Sequence, residues 1–288
     1  MDSDEGNRKS LRKLASEKGR SFDYVKRIQG LRLIDDTFFN AFMEDNTKDM
    51  ELFLRIILKD PALKVDHIQT QREVSNIFGR SVRFDVFTRN ADGTICNTEV
   101  QRTDAEATPE RARFNACMMD TLTIKAGFEW GKDHLPPTNV IFITENDPLG
   151  GGLPIYHIPR VILEMNGKRF DDKAGIIYVN AGCQDDKTEL GRLMHDMFCE
   201  RWEDMYHQEL AERTRYLKTD EHGVMKMCKI MEEIREDGRT EGRDEANQNT
   251  ILNLVKKGVG VQFMADVTGW TIEQVNHFLR SQNLQPAQ

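Results

Sequence analysis

Residues 81 to 101 constrain the fold more than any other stretch of this chain. Two arms rich in β-branched and aromatic residues, Ser81 to Thr88 and Thr94 to Gln101, flank Arg89, Asn90, Ala91, Asp92 and Gly93, which carry turn chemistry. The pattern predicts a β-hairpin. If Ala91, Asp92 and Gly93 form a three-residue loop with Gly93 left-handed, Asn90 faces Thr94 and Asp85 faces Glu99. A two-residue turn at Asp92 and Gly93 shifts the register by one and sends the two acids to opposite faces. In the first arrangement two carboxylates oppose each other, which destabilises a hairpin unless a cation lies between them; a divalent ion with oxygen ligands is the simplest candidate. Gln101 then lies on the face of Glu99, about 6.8 Å along, while Thr98 and Val100 face the other way. The plain alternative for an Asp and a Glu on a hairpin is a solvated polar face.

An acidic residue on a helix, then Asp, then a hairpin ending in Glu, any residue and Lys or Gln resembles the core of the PD-(D/E)XK nuclease superfamily. The chain is most similar to its recombination-promoting nuclease and transposase branch, where Gln commonly stands in the Lys position. Asp36, Thr37, Phe38 and Phe39 match the branch's upstream motif, although its usual following Lys is Asn40 here. Downstream, Arg111, Ala112, Arg113 and Phe114 match a helix after the hairpin, and Ile141, Phe142 and Ile143 match a later core strand. The resemblance covers roughly residues 30 to 235. It implies an α/β, restriction-endonuclease-like core with a mixed central sheet flanked by helices, and a metal-dependent DNA endonuclease. It further implies that Asp85, Glu99 and the main-chain carbonyl of Val100 bind Mg²⁺ or Mn²⁺, that Gln101 orients the attacking water, and that Asp36 holds a metal water. Asp35 is adjacent, and either acid also suits a helix cap.

Gln brings no positive charge, unlike a lysine ammonium, so the metal or a nearby cation such as Arg83 or Arg111 must offset charge in the transition state. Arg80, Arg83, Arg89, Arg102, Arg111 and Arg113 cluster around the hairpin in sequence; Arg83, Arg102, Arg111 and Arg113 are the candidates for DNA phosphate contact, with pairing to nearby acids as the alternative. The net charge of -8 runs against nucleic-acid binding. From Arg8 to Arg32, however, nine basic residues stand against two acidic ones, a local excess of +7 that suits either DNA contact or a solvated arm. The rival to an enzyme is a nuclease-fold protein of weak or no activity that acts as a DNA-binding or assembly module.

Length and pattern predict four segments: a basic arm over 1–30 that becomes helical, a nuclease-like domain over 31–235, a charged linker helix over 236–249, and a small helical tail over 250–288. Within the second, helices are expected from Asp35 and around Leu52 to Ile57, a short strand at Val65 to Gln69, and a helix from Pro109 to about Gly127. Strands follow at Val140 to Thr144, Ile155 to Ile158 and Ala174 to Val179, then a helical and heavily charged stretch from Leu190 to about Arg243. The tail reads as three short helices separated by Gly258 and Gly269, in the manner of a helix-turn-helix unit; its last helix is poor in basic residues, which favours packing or self-association over DNA contact.

Other motifs are weaker. Gly150, Gly151 and Gly152 lack the Lys and Ser or Thr of a phosphate loop, and no organic cofactor is expected. His195, Cys199 and Glu203 recur at helical spacing, where packing is favoured over a metal site. The five scattered cysteines read as reduced thiols, and the polar start from Met1 to Ser10 argues against secretion; a cytoplasmic protein is expected. No apolar run approaches about 18 residues, so no membrane span is expected.

Overall fold

The computed structural model describes residues 21–75, 81–124, 127–130, 132–282 and 284. The chain divides into two compact units at Cys228 and Lys229. Most of the basic arm, and Arg80, lie outside the described residues; the arm's last part forms helix α1 (Ser21–Gln29).

The first unit is built on a six-stranded mixed sheet, ordered β1-β2-β3-β4-β8-β5. Strands β1 (Val65–Val74), β2 (Val82–Asn90) and β3 (Ile95–Gln101) form an antiparallel meander, and β3 then runs parallel to β4 (Thr138–Thr144) and β4 to β8 (Ala174–Asn180). The edge strand β5 (Ile155–Ile158) returns antiparallel on β8, and a separate small hairpin pairs β6 (Val161–Ile162) with β7 (Lys168–Arg169). Parallel neighbours need a crossover, and helix α4 (Pro109–Thr121) supplies the one from β3 to β4. Its Ala112, Ala116, Met118 and Met119 pack with Phe87, Ile95, Val140, Phe142 and Tyr178 in one core cluster. The alternate residues Val100, Ile141, Ile143, Ile177 and Val179 are buried as well, so both faces of the central strands are covered. Helix α2 (Asp36–Met43) packs against β1, β2 and β3, and α3 (Thr47–Leu58) against β1.

Several elements differ in extent from the sequence pattern, each for a local reason. Strand β1 runs on to Val74 because β2 offers partners as far as Val82. Helix α4 stops at Thr121, not near Gly127: the hydroxyls of Thr121 and Thr123 bond to the carbonyls of Met118 and Asp120, competing with the helix. The charged segment after Leu190 is three helices, α5 (Glu189–Phe198), α6 (Gln208–Thr219) and α7 (Glu221–Lys256).

In the second unit, α7 is continuous through Gly238 and Gly242, so the first of the expected tail helices is the end of a 36-residue helix. Helices α8 (Val261–Thr268) and α9 (Ile272–Ser281) fold against it around Ile251, Met264, Val275 and Leu279. Gly269, left-handed at φ 71°, ends α8, and a Thr271/Gln274 capping box starts α9. Among the described residues no helix is long and apolar enough to cross a membrane.

Candidate active site

The hairpin closes with the three-residue loop. Gly93 is left-handed at φ 86°, and the Asn90 N–H donates to the Thr94 carbonyl at 2.8 Å. Asp92 holds the turn through the N–H and the hydroxyl of Thr94, both at 2.9 Å. The register then pairs Val86 with Thr98 and Phe87 with Asn97; carried one step further it sets Asp85 across from Glu99.

Asn97, Glu99 and Gln101 share one face of β3, whose seven residues are all buried. Glu99 has no exposed surface, a costly place for a carboxylate unless donors surround it. Four side chains do so. Its Oε1 accepts from Asn97 Nδ2 at 2.9 Å and Asn115 Nδ2 at 3.3 Å, and its Oε2 from Arg111 Nη2 at 2.8 Å and Gln101 Nε2 at 3.4 Å. Helix α4 brings two of them. Thr108 caps its first turn, Pro109 starts it, and Arg111 and Asn115, four apart, point the same way onto β3.

Asp85 sits where the ladders open. The β2–β3 pairs end at Val86 and Thr98, and the β1–β2 pairs pass from Thr70–Val86 to Arg72–Phe84 without Gln71 or Asp85. Asp85 Oδ2 accepts the Val100 N–H at 3.3 Å, and Oδ1 accepts from Gln71 Nε2 at 3.4 Å. The N–H and C=O of a strand residue point to the same side, so the Val100 carbonyl is turned toward Asp85 too. Burial and the Glu99 charge push the Asp85 pKa up to about 7, with Asp36 adding to the push and the Val100 N–H and Arg111 opposing it. Burial also raises Glu99, against the pull of Asn97 and Arg111.

Helix α2 thus carries Asp36 into the field of Asp85, with Asp36 itself accepting from the Thr37 N–H at 2.6 Å. Asp35 occupies the N-cap position without capping; it accepts from the Arg32 N–H at 2.8 Å and from Arg102 Nη1 at 2.9 Å. Arg102 is held by Asp35 and, at 2.7 Å, by Glu145, so its charge is already balanced. Arg83 and Arg113 are exposed on β2 and α4. Of the four arginines singled out in the sequence, Arg111 is the one at the acidic pair.

The oxygen-only set of Asp85, Glu99 and the Val100 carbonyl fits a hard divalent cation. A second observation agrees: the buried Oδ1 atoms of Asn97 and Asn115, beside Glu99, have no hydrogen-bond partner. Elsewhere the weaker motifs resolve structurally. The Gly150–Gly152 loop turns its amides onto Asp147, which accepts from the N–H groups of Leu149, Gly150 and Gly152 and from Tyr156. Glu203 faces Arg201, and the residues gathered near His195 and Cys199 are completed by Asp196 instead.

A profile of the PD-(D/E)XK nuclease family transposases matches residues 33–253, most of the chain. The chain belongs to the PD-(D/E)XK nuclease family. No curated protein and no solved structure matches it. The mixed sheet flanked by helices is accordingly a restriction-endonuclease-like core with C-terminal helices. In this PD-(D/E)XK chain, sequence reasoning missed Gln71, Asn97 and Asn115. Asn97 was within reach of it: polar residues at 97, 99 and 101, period two, stand inside an otherwise apolar central strand. Asn115 had a fainter signal, its four-residue spacing from Arg111.

Proposed function

We propose that this chain is a divalent-metal-dependent DNA endonuclease that hydrolyses phosphodiester bonds, with Asp85, Glu99 and the Val100 carbonyl holding Mg²⁺ or Mn²⁺. The observation that carries this reading is Glu99: a wholly buried carboxylate, in register with a second acid of raised pKa, on the face it shares with Gln101. Such acids without a catalytic or binding task are rare, because burying like charges together costs stability.

A hard divalent ion held there would supply an activated water near neutral pH and offset charge on the phosphate. Gln101, by leaving its long contact with Glu99, would orient the attacking water through its amide. It brings no charge. Arg111 does, and its guanidinium at Glu99 stands ready to stabilise the extra negative charge that develops as the phosphate is attacked. Asp36 acts from α2 on the same acidic centre. Arg83 and Arg113, exposed, suit the DNA backbone, whereas Arg102 must first give up two carboxylates.

The test is plasmid cleavage by purified protein with Mg²⁺ or Mn²⁺ against Asp85→Ala and Glu99→Ala protein. Equal rates sink the catalytic reading. One observation favours a binding or assembly module instead: the Gln101 amide is already bonded to Glu99 at 3.4 Å, in a chain of net charge -8. Calorimetry separates the two. A catalytic centre takes up Mn²⁺ and loses it on Glu99→Gln; DNA or protein binding with no Mn²⁺ uptake is the signature of the module.

A further inference from the structure

We infer that Gln71 is a further positioning residue of this centre, and that the break it makes in β1 turns Asp85 toward Val100 and Glu99. The inference rests on the cation-binding reading above. Gln71 lies inside a ten-residue strand, yet its φ is 50°, in the left-handed region that side chains other than glycine seldom adopt. Such a conformation persists where its surroundings hold it, and it is concentrated at functional sites.

Here its place is informative. The β1–β2 ladder keeps one register on both sides of Gln71 and Asp85 and leaves those two residues out. Residues three apart on a regular strand point to opposite faces, but Phe84 and Phe87 stack at 6.2 Å in one cluster, joined by Val74. The strands therefore change face at the Gln71–Asp85 step. Arg72 pins the change, its guanidinium 4.1 Å from the centre of the Phe87 ring.

A regular ladder would stand the Asp85 side chain perpendicular to the sheet, with Phe84 taking the Val100 N–H. In the broken ladder Asp85 takes that N–H itself, at 3.3 Å, and its other oxygen accepts from Gln71 Nε2 at 3.4 Å. One amide on a strained residue thus fixes which way the carboxylate faces. Gln71 is exposed, so it does this without filling core space.

Gln71→Gly keeps the left-handed backbone, removes its strain and deletes the amide. Thermal melting should stay level or rise, while Mn²⁺ affinity measured by calorimetry falls about 10-fold or more, the usual size of an outer-shell effect on a metal site. Unchanged Mn²⁺ affinity in Gln71→Gly, beside an Asp85→Asn control that has lost it, overturns the role of Gln71 and leaves the cation site standing. A fall in melting temperature that accounts for the affinity loss overturns it too, since it marks a structural residue only. If the native protein takes up no Mn²⁺, or Asp85→Asn binds like the native protein, the cation reading fails and takes this inference with it.

Discussion

Two wholly buried acids in the first unit, Glu99 and Asp196, are treated differently. Asp196, on α5, is held by two successive main-chain donors and by histidine: its oxygens accept from the N–H groups of Tyr206 and His207 at 2.8 and 2.9 Å, from His207 Nδ1 at 2.8 Å, and lie 3.4 Å from His195 Nδ1. Those bonds bend the chain back after α5 and position the start of α6. Glu99 takes one main-chain N–H, that of Asp85, but four side chains do most of the holding; two of these keep unpaired amide oxygens, and a second acid stands opposite. A buried acid fixed by successive main-chain N–H groups and a histidine serves as scaffold; one held mostly by side chains beside a like charge can exchange those partners for a cation. The companion groups fit the contrast. His195 Nδ1, Asp196 and Cys199 Sγ lie within 4.8 Å of one another, but the Cys199 thiol is pushed up to about 11 by burial and donates to the His195 carbonyl.

The largest effect that bears on this contrast is catalytic. Glu99→Gln should lower the DNA cleavage rate on the order of 10³-fold, several kcal/mol of transition-state stabilisation, with the fold intact by circular dichroism. Asp196→Asn is the opposite case: cleavage per folded molecule should hold while unfolding in urea shows a loss of about 3 kcal/mol. Cleavage lost equally in both variants would erase the distinction.

Arg111→Met comes next, with an expected drop of about 10²-fold in cleavage at saturating Mn²⁺, the cost of one stabilising donor. Full activity there would move the compensating charge elsewhere, to Arg83 or Arg113.

The smallest effects are in pH dependence, where Asp85 at the first centre and His207 at the second differ in window rather than sign. Asp85 is raised from 3.8 to about 7, so the metal-free folded state binds an extra proton between those values and its stability falls as pH climbs from 3.8 to about 7. Urea unfolding across that range should show the fall, and Asp85→Asn should abolish it; Mn²⁺ affinity should rise with pH over the same interval. His207 is raised above 6.5, chiefly by its bond to Asp196, so its contribution is complete below 6.5 and is lost as pH climbs through the higher folded value. His207→Gln should remove that second decline and leave the first.

Much of the site was legible because it is local. Period-two alternation and the Asp92–Gly93 turn define the hairpin, and Gly93 at the third loop position sets the register that opposes Asp85 to Glu99. Pro109 marks the start of α4, and Arg111 follows within its first turn. Such features depend on neighbours in the chain, whose geometry the backbone dictates. The breaks within the helical stretch after Leu190 were not legible: Asp196 reaches ten residues ahead to Tyr206, a contact that leaves no mark on helical spacing.

What the sequence determined by itself, then, is the hairpin, the acid pair on it and the two registers its turn allowed, of which the structure takes the one that opposes the acids. Only the tertiary structure decided which arginine meets Glu99, which acid of the Asp35–Asp36 pair is drawn off by Arg102, and where β1 breaks to release Asp85. The reason is separation along the chain. Asn115 lies sixteen residues from Glu99 and Gln71 fourteen from Asp85, and those distances close only when a crossover helix lies on a parallel strand pair and a third strand joins the hairpin.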